Sequence, residues 1–223
     1  MLDARARKML APGLDAAGVR LADAGVPALA LTAAGWLAGV AACAAVVAHA
    51  WGWALSLWLV NRLLDGLDGP VARRNGASDL GGFLDIVADF SIYAGFVLAL
   101  AVAEPDARVA CLALLVAYYV SGTAFLALSS LLERRGTSRA LDGRSLRFVG
   151  GLAEGTETVV VYSVICLLPS HAALILGLFA AAVAVTAVQR IALAVHVLRR
   201  PAVAGPRTAR PQQATAIVER RTS

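Results

Sequence analysis

Asn61-Arg62-Leu63-Leu64-Asp65-Gly66-Leu67-Asp68-Gly69-Pro70-Val71-Ala72-Arg73 is followed, after seven residues, by Gly81-Gly82-Phe83-Leu84-Asp85-Ile86-Val87-Ala88-Asp89. Both stretches belong to long apolar runs, so four aspartates sit in or beside segments suited to a bilayer. One Asp at the centre of a membrane helix costs ~2.5–3.5 kcal/mol, and four unpaired ones would cost on the order of 10 kcal/mol. Something must offset that cost. On helices, Asp65 and Asp68 project from one face, and so do Asp85 and Asp89. Two such faces converging would repel unless a hard cation such as Mg²⁺ or Mn²⁺ lay between them, since these ions prefer carboxylate oxygen. A two-metal cluster suits phosphoryl transfer, because it stabilises both the entering and the leaving oxygen. The small residues Gly66, Gly69, Ala72, Gly81 and Gly82 let helix backbones and a nucleotide approach closely. The competing reading has Arg62 and Arg73 pair with the carboxylates merely to hold the bundle together. That needs neither the glycines nor four acids.

Outward from this stretch, composition supports a membrane protein. Of 223 residues, 59% are hydrophobic and only 16% are charged, too few charges to solvate a soluble surface of this size. The mean hydropathy is +0.73. A net charge of +5 raises the question of nucleic acid, but the basic residues cluster at the ends of apolar runs, which is the pattern of membrane topology. No nucleic-acid partner is expected. Cys43, Cys111 and Cys166 lie singly inside apolar runs and read as small buried hydrophobes rather than disulfide or zinc partners.

Crossing a hydrocarbon core takes about 20 apolar residues. Six such runs occur, at roughly 27–49, 52–73, 80–103, 107–132, 148–168 and 171–198. The first lacks a convincing cleavage site and is expected to stay as a span. With the N-terminus in the cytoplasm, that side receives Arg5, Arg7, Lys8, Arg20, Arg73, Arg74, Arg134, Arg135, Arg139, Arg144, Arg147, Arg199 and Arg200, and the opposite side receives Arg108. The charge rule thus supports six spans with both termini cytoplasmic. Residues 1–24 read as an interfacial amphipathic helix, 25–200 as an all-α, polytopic catalytic domain, and 201–223 as a disordered tail. Trp51 and Trp53 fit an outer-interface belt, while His49, His171 and His196 stand away from the carboxylates and suit interfacial or packing roles.

The paired stretches resemble the signature of the CDP-alcohol phosphotransferases (CDP-alcohol phosphatidyltransferases), Asp-x-x-Asp-Gly-x-x-Ala-Arg followed by Gly-x-x-x-Asp-x-x-x-Asp. Asp65, Asp68, Gly69, Ala72 and Arg73 match the first part, and Gly81, Asp85 and Asp89 the second. The resemblance implies a homodimeric six-helix enzyme of phospholipid biosynthesis with a cavity open to the cytoplasm. There an acceptor hydroxyl attacks the phosphorus of a CDP-alcohol such as CDP-diacylglycerol, and CMP leaves. It further implies that Asp65, Asp68, Asp85 and Asp89 hold two Mg²⁺ or Mn²⁺ ions, that Asp89 is the general base, and that Asp68, Gly69, Ala72, Arg73 and Gly81 contact the nucleotide. Many members carry a polar Pro-Asn-x-Leu-Thr-like stretch before the first span. This chain has Pro27-Ala28-Leu29-Ala30-Leu31-Thr32, so a polar contact from that segment is expected to be missing.

Acceptor identity is less legible. The segment Gly150-Gly151-Leu152-Ala153-Glu154-Gly155-Thr156-Glu157-Thr158 is similar to one found in bacterial inner-membrane members of the family. Glu154 and Glu157 are candidate hydrogen-bond acceptors for a polyol or a cationic head group, with pairing to Arg147 or Arg190 as the alternative. The basic cluster Arg134, Arg135, Arg139, Arg144 and Arg147 reads as a topology signal in contact with lipid phosphate; binding a phosphorylated acceptor, with Arg147 taking part, is the other possibility. Two different classes compete with these readings. Intramembrane prenyltransferases share the Asn61, Asp65, Asp68 spacing but need more spans than this chain has room for. A cation-coupled transporter would place its acids near the midplane of an inverted repeat, and none is visible. A bacterial cytoplasmic membrane is the expected location.

Overall fold

The computed structural model describes residues 2–134 and 155–199. The expectations for Arg147, Glu154 and the tail 201–223 lie outside the described residues. The described residues form seven α-helices and no strand: α1 (Leu2–Asp23), α2 (Ala28–Val47), α3 (Trp51–Asn75), α4 (Asp79–Ala103), α5 (Arg108–Arg134), α6 (Gly155–Leu167) and α7 (Ala172–Leu198). Short 3-10 turns at Pro105–Ala107 and Pro169–His171 lead into α5 and α7. Four segments are long and apolar enough to cross a membrane: α2, α4, Pro105–Arg134 and Pro169–Leu198. The chain is an integral membrane protein. Helix α3 has 25 residues, about 37 Å at 1.5 Å per residue, and so has the length to cross as well. It carries the charged residues of the signature and is therefore not apolar enough to count among the four.

Helix ends follow from local chemistry. The α1 and α2 termini share one geometry, in which the last turn closes by a six-to-one and a five-to-two hydrogen bond around a residue of positive φ. At α1 that residue is Gly25 (φ 80°), with Val26 N–H donating to Leu21 O at 3.0 Å. At α2 it is His49 (φ 54°), with Ala50 N–H donating to Ala45 O at 2.8 Å. This tight reversal sets α3 antiparallel against α2. Ser78 caps α4, its Oγ accepting from Gly81 N–H at 3.1 Å.

The core lies between α2, α3, α4, α6 and the α5–α7 pair. Its centre is aromatic: Phe96 stacks on Tyr162 at 4.6 Å, and Trp58 packs on both at 5.3 and 5.2 Å. Gly39 brings α2 against α4 so closely that a Cβ there would sit 2.8 Å from Ile92. Many large apolar side chains point outward, Leu37, Leu112, Leu174 and Val188 among them, as expected where lipid is the solvent. Helix α1 lies across the end of α3, with Leu14 against Gly66 and Gly18 against Pro70. The Cys expectation holds: the three cysteines are free, Cys111 and Cys166 buried and Cys43 half-buried.

Candidate active site

Helical periodicity puts Asp65 and Asp68 on one face of α3 and Asp85 and Asp89 on one face of α4, and the fold turns the two faces toward each other. Asp65 and Asp89 meet at Arg62 and border one small cavity, and Asp68 and Asp85 lie one helical turn away on the same two faces. Among the described residues, no three or more His, Cys, Asp or Glu side chains converge on one point. A cavity of about 10 Å³, room for one water molecule, is bordered by Thr32, Asn61, Asp65 and Asp89.

Three of the four carboxylates have a protein partner beside them. Asp68, only 7% exposed, accepts from Thr32 Oγ1 at 2.7 Å. This corrects the expectation that the Pro27–Thr32 segment supplies no polar contact, because the hydroxyl of Thr32 reaches across from α2. Asp89 Oδ1 accepts from Arg62 Nη2 at 2.9 Å, and Asp65 Oδ2 lies 3.7 Å from Arg62 Nη1. The Arg62 half of the ion-pair reading is therefore present in the structure. The Arg73 half is not: Arg73 Nη2 donates instead to Asp15 of α1 at 2.8 Å, and Arg74 pairs with Asp23 at 3.2 Å.

The remaining expected residues are placed as follows. Gly69 and Arg73 stack along α3, with Arg73 Nη1 3.4 Å from where a Cβ of residue 69 would stand, and Ala72 is half-buried between them in sequence. Gly81 lies in the first turn of α4 beside the Ser78 cap. Glu157 falls in the first turn of α6, where a helix N-terminus favours a carboxylate, and is half-buried. Arg190, the alternative partner for the glutamates, donates from Nη1 to Ser121 Oγ at 2.8 Å and lies over the Phe125 ring.

Sequence reasoning missed the shell around Arg62. Trp58 and Tyr93 flank its guanidinium, with ring centroids 4.8 and 4.9 Å from Cζ and 6.2 Å from each other. Asn61 Oδ1 accepts from Nε at 2.7 Å, and the Tyr93 hydroxyl accepts from Nη1 at 2.8 Å. A signal was available: Trp58 precedes Arg62 by one helical repeat and Tyr93 follows Asp89 by one, so each aromatic stands on the face of the charge it serves.

Helices α3 and α4 thus present their aspartates toward one another, among the small residues Gly66, Gly69, Ala72, Gly81 and Gly82 of a membrane protein. A family model for CDP-alcohol phosphatidyltransferase matches residues 26–198, and the chain belongs to that family. It is a transferase of substituted phosphate groups, moving a phosphoalcohol from a CDP-alcohol donor to an alcohol acceptor in contact with membrane lipid. The chain is 37% identical over 199 residues to the inner membrane protein YnjF of Escherichia coli (strain K12), covering 86% of this chain and 94% of that one. No solved structure matches it.

Proposed function

We propose that the chain transfers a phosphatidyl group from CDP-diacylglycerol to a small hydroxyl acceptor in bacterial phospholipid biosynthesis. The observation that carries this reading is the meeting of the two aspartate faces of α3 and α4 at Arg62, with Asp65 and Asp89 on either side of it and Asp68 and Asp85 one helical turn away. The reading also takes α3 and α6 as spans, giving six in all, with residues 25–200 as the catalytic unit and α1 lying along its cytoplasmic surface. Cytoplasmic termini, an inner-membrane location like that of YnjF, and a homodimer complete it.

Members of the family depend on a divalent metal. The donor set fits one: four carboxylates in two like-charged pairs, with one arginine as the counter-charge close by, leave an excess of negative oxygen ligands in a partly desolvated place. Asp65, Asp68, Asp85 and Asp89 would hold Mg²⁺ or Mn²⁺, probed together as one set. When bound, the metal neutralises charge on the phosphate oxygens of the donor.

The protein's own groups perform the rest. Arg73 holds the diphosphate of the nucleotide, and the absence of side-chain bulk at Gly69, Ala72 and Gly81 lets the donor lie against the backbone. Thr32 fixes the orientation of Asp68. Asp89 accepts the proton of the acceptor hydroxyl as its oxygen forms a bond to the phosphorus bearing the alcohol. The bond from that phosphorus to the bridging oxygen breaks, and CMP leaves with the electron pair. Glu157, with Glu154 and Arg147, is assigned to the acceptor side. Purified protein given CDP-diacylglycerol, Mg²⁺ or Mn²⁺ and a panel of acceptors should release CMP only when the right acceptor is present. Asp89→Asn should lower that rate by about 10²–10⁴-fold. Acceptor-independent or absent CMP release by the wild type, with CDP-lipid still bound, would turn the carboxylate cluster into a binding site.

A further inference from the structure

We infer that Arg62 is a positioning residue for the transfer, a fixed internal cation that aims Asp89 and limits how strongly the carboxylate set draws metal. An arginine present only to balance charge needs no fixed pose. This one has all three nitrogens of its guanidinium engaged: Nε with Asn61 Oδ1 at 2.7 Å, Nη1 with the Tyr93 hydroxyl at 2.8 Å, and Nη2 with Asp89 Oδ1 at 2.9 Å. The rings of Trp58 and Tyr93 flank it, and its side chain is 9% exposed. The supports are themselves held. Asn61 donates from Nδ2 to the carbonyl of Gly35 at 2.8 Å, and Trp58 is fully buried in the aromatic core.

Two consequences follow from this box. First, one oxygen of Asp89 is committed to Arg62, so the carboxylate cannot rotate freely and its other oxygen has a set direction. Second, one permanent positive charge stands beside Asp65 and Asp89, reducing the pull of that pair on any divalent ion. The planar fork matters for the first effect and the charge for the second, so lysine and glutamine separate them. This inference rests on Asp89 being the base.

The test uses the full-length purified protein and two readouts, Mn²⁺ binding followed by the resonance signal of free Mn²⁺, and kcat and KM for CMP release. Arg62→Gln should bind Mn²⁺ about tenfold more tightly, the order expected when a unit charge is removed a few ångströms away in a partly desolvated site. Its kcat should nevertheless fall by about 10²-fold, as for a misaimed catalytic group, with little change in KM for the donor. Arg62→Lys should leave Mn²⁺ binding near the wild-type value while kcat stays low. A merely structural role would weaken metal binding and turnover together in Arg62→Gln, and that result overturns the inference, as does wild-type kcat in either variant. Should Arg62→Gln not fold, Tyr93→Phe decides: a several-fold lower kcat with unchanged Mn²⁺ binding supports the assignment, and an unchanged kcat overturns it. If the wild type releases no CMP with any acceptor, the transferase reading fails, while the Mn²⁺ comparison still decides the charge effect of Arg62.

Discussion

Helix α3 carries arginine–aspartate pairs in two settings. On its inner part, Arg62 meets Asp89 and Asp65 with 9% of its side chain exposed; at its end, Arg73 and Arg74 meet Asp15 and Asp23 with 66% and 58% exposed. The bond lengths overlap, 2.9 Å inside against 2.8 and 3.2 Å outside. Distance therefore says little about what each pair is worth. Solvation decides: a desolvated charge that loses its partner is left uncompensated, whereas an exposed one recovers water. The inner pair should set stability and chemistry, and the outer pairs should set only how α1 rests on α3.

The largest break in this contrast is Arg62→Met in metal-free protein. It leaves four carboxylates facing one another without a counter-charge, and roughly 3–5 kcal/mol of stability should be lost, the range for breaking a buried pair. Thermal unfolding of detergent-solubilised protein in a chelator reads the loss directly. Adding Mn²⁺ should restore most of it, because the ion takes over the neutralising role. Asp65 and Asp89 are 30% and 28% exposed, so a variant as stable as the wild type in chelator would mean that water alone screens them and would remove the distinction between the two regions.

A smaller effect tests the same division by packing. Gly39→Ala puts a methyl group 2.8 Å from Ile92 Cδ1 and Cγ1 and 2.9 Å from its Cγ2. Overpacking of this kind typically costs about 1–3 kcal/mol. Gly13→Ala in α1 meets nothing within 4 Å and removes a flexible residue from a helix, so it should stabilise by about 0.5–1 kcal/mol. One substitution type should thus change sign between the bundle and the α1 end. Equal signs in unfolding measurements would mean that the Gly13 turn of α1 is packed as its Gly18 turn already is against Pro70.

How far the sequence reaches follows the same line. An all-helical chain with apolar spans and two aspartate faces was legible because hydropathy and periodicity act locally; of the six expected runs, four are long and apolar enough to cross, while α3 is too charged to count and α6 has 13 described residues. The partners of the charges were not, because they are set by tertiary packing. Arg62 and Arg73 read alike in sequence as counter-ions for the four aspartates. Only the crossing of α1 over Gly66 and Pro70 gives Arg73 to Asp15, and only the approach of α2 at Gly35 and Gly39 brings Thr32 to Asp68. The expected missing contact at Pro27–Thr32 fails for this reason: Ala28 has no polar side chain, but Thr32, one helical turn on at the end of the same segment, supplies the hydroxyl.

The finest test concerns Arg73, which the proposed function assigns to the nucleotide while the structure pairs it with Asp15. The two roles compete for one guanidinium. To engage a diphosphate, Arg73 must give up an exposed ion pair worth about 0.2–1 kcal/mol, so Asp15→Asn should lower KM for the CDP-alcohol by about 1.4- to 5-fold. The effect should fade as salt is raised, since screening weakens the wild-type pair already. Stability should hardly move, in contrast to Arg62→Met. A raised KM in Asp15→Asn would mean that Asp15 orients Arg73 toward the donor rather than competing with it, and the outer pair would then share the positioning role that the inner pair performs.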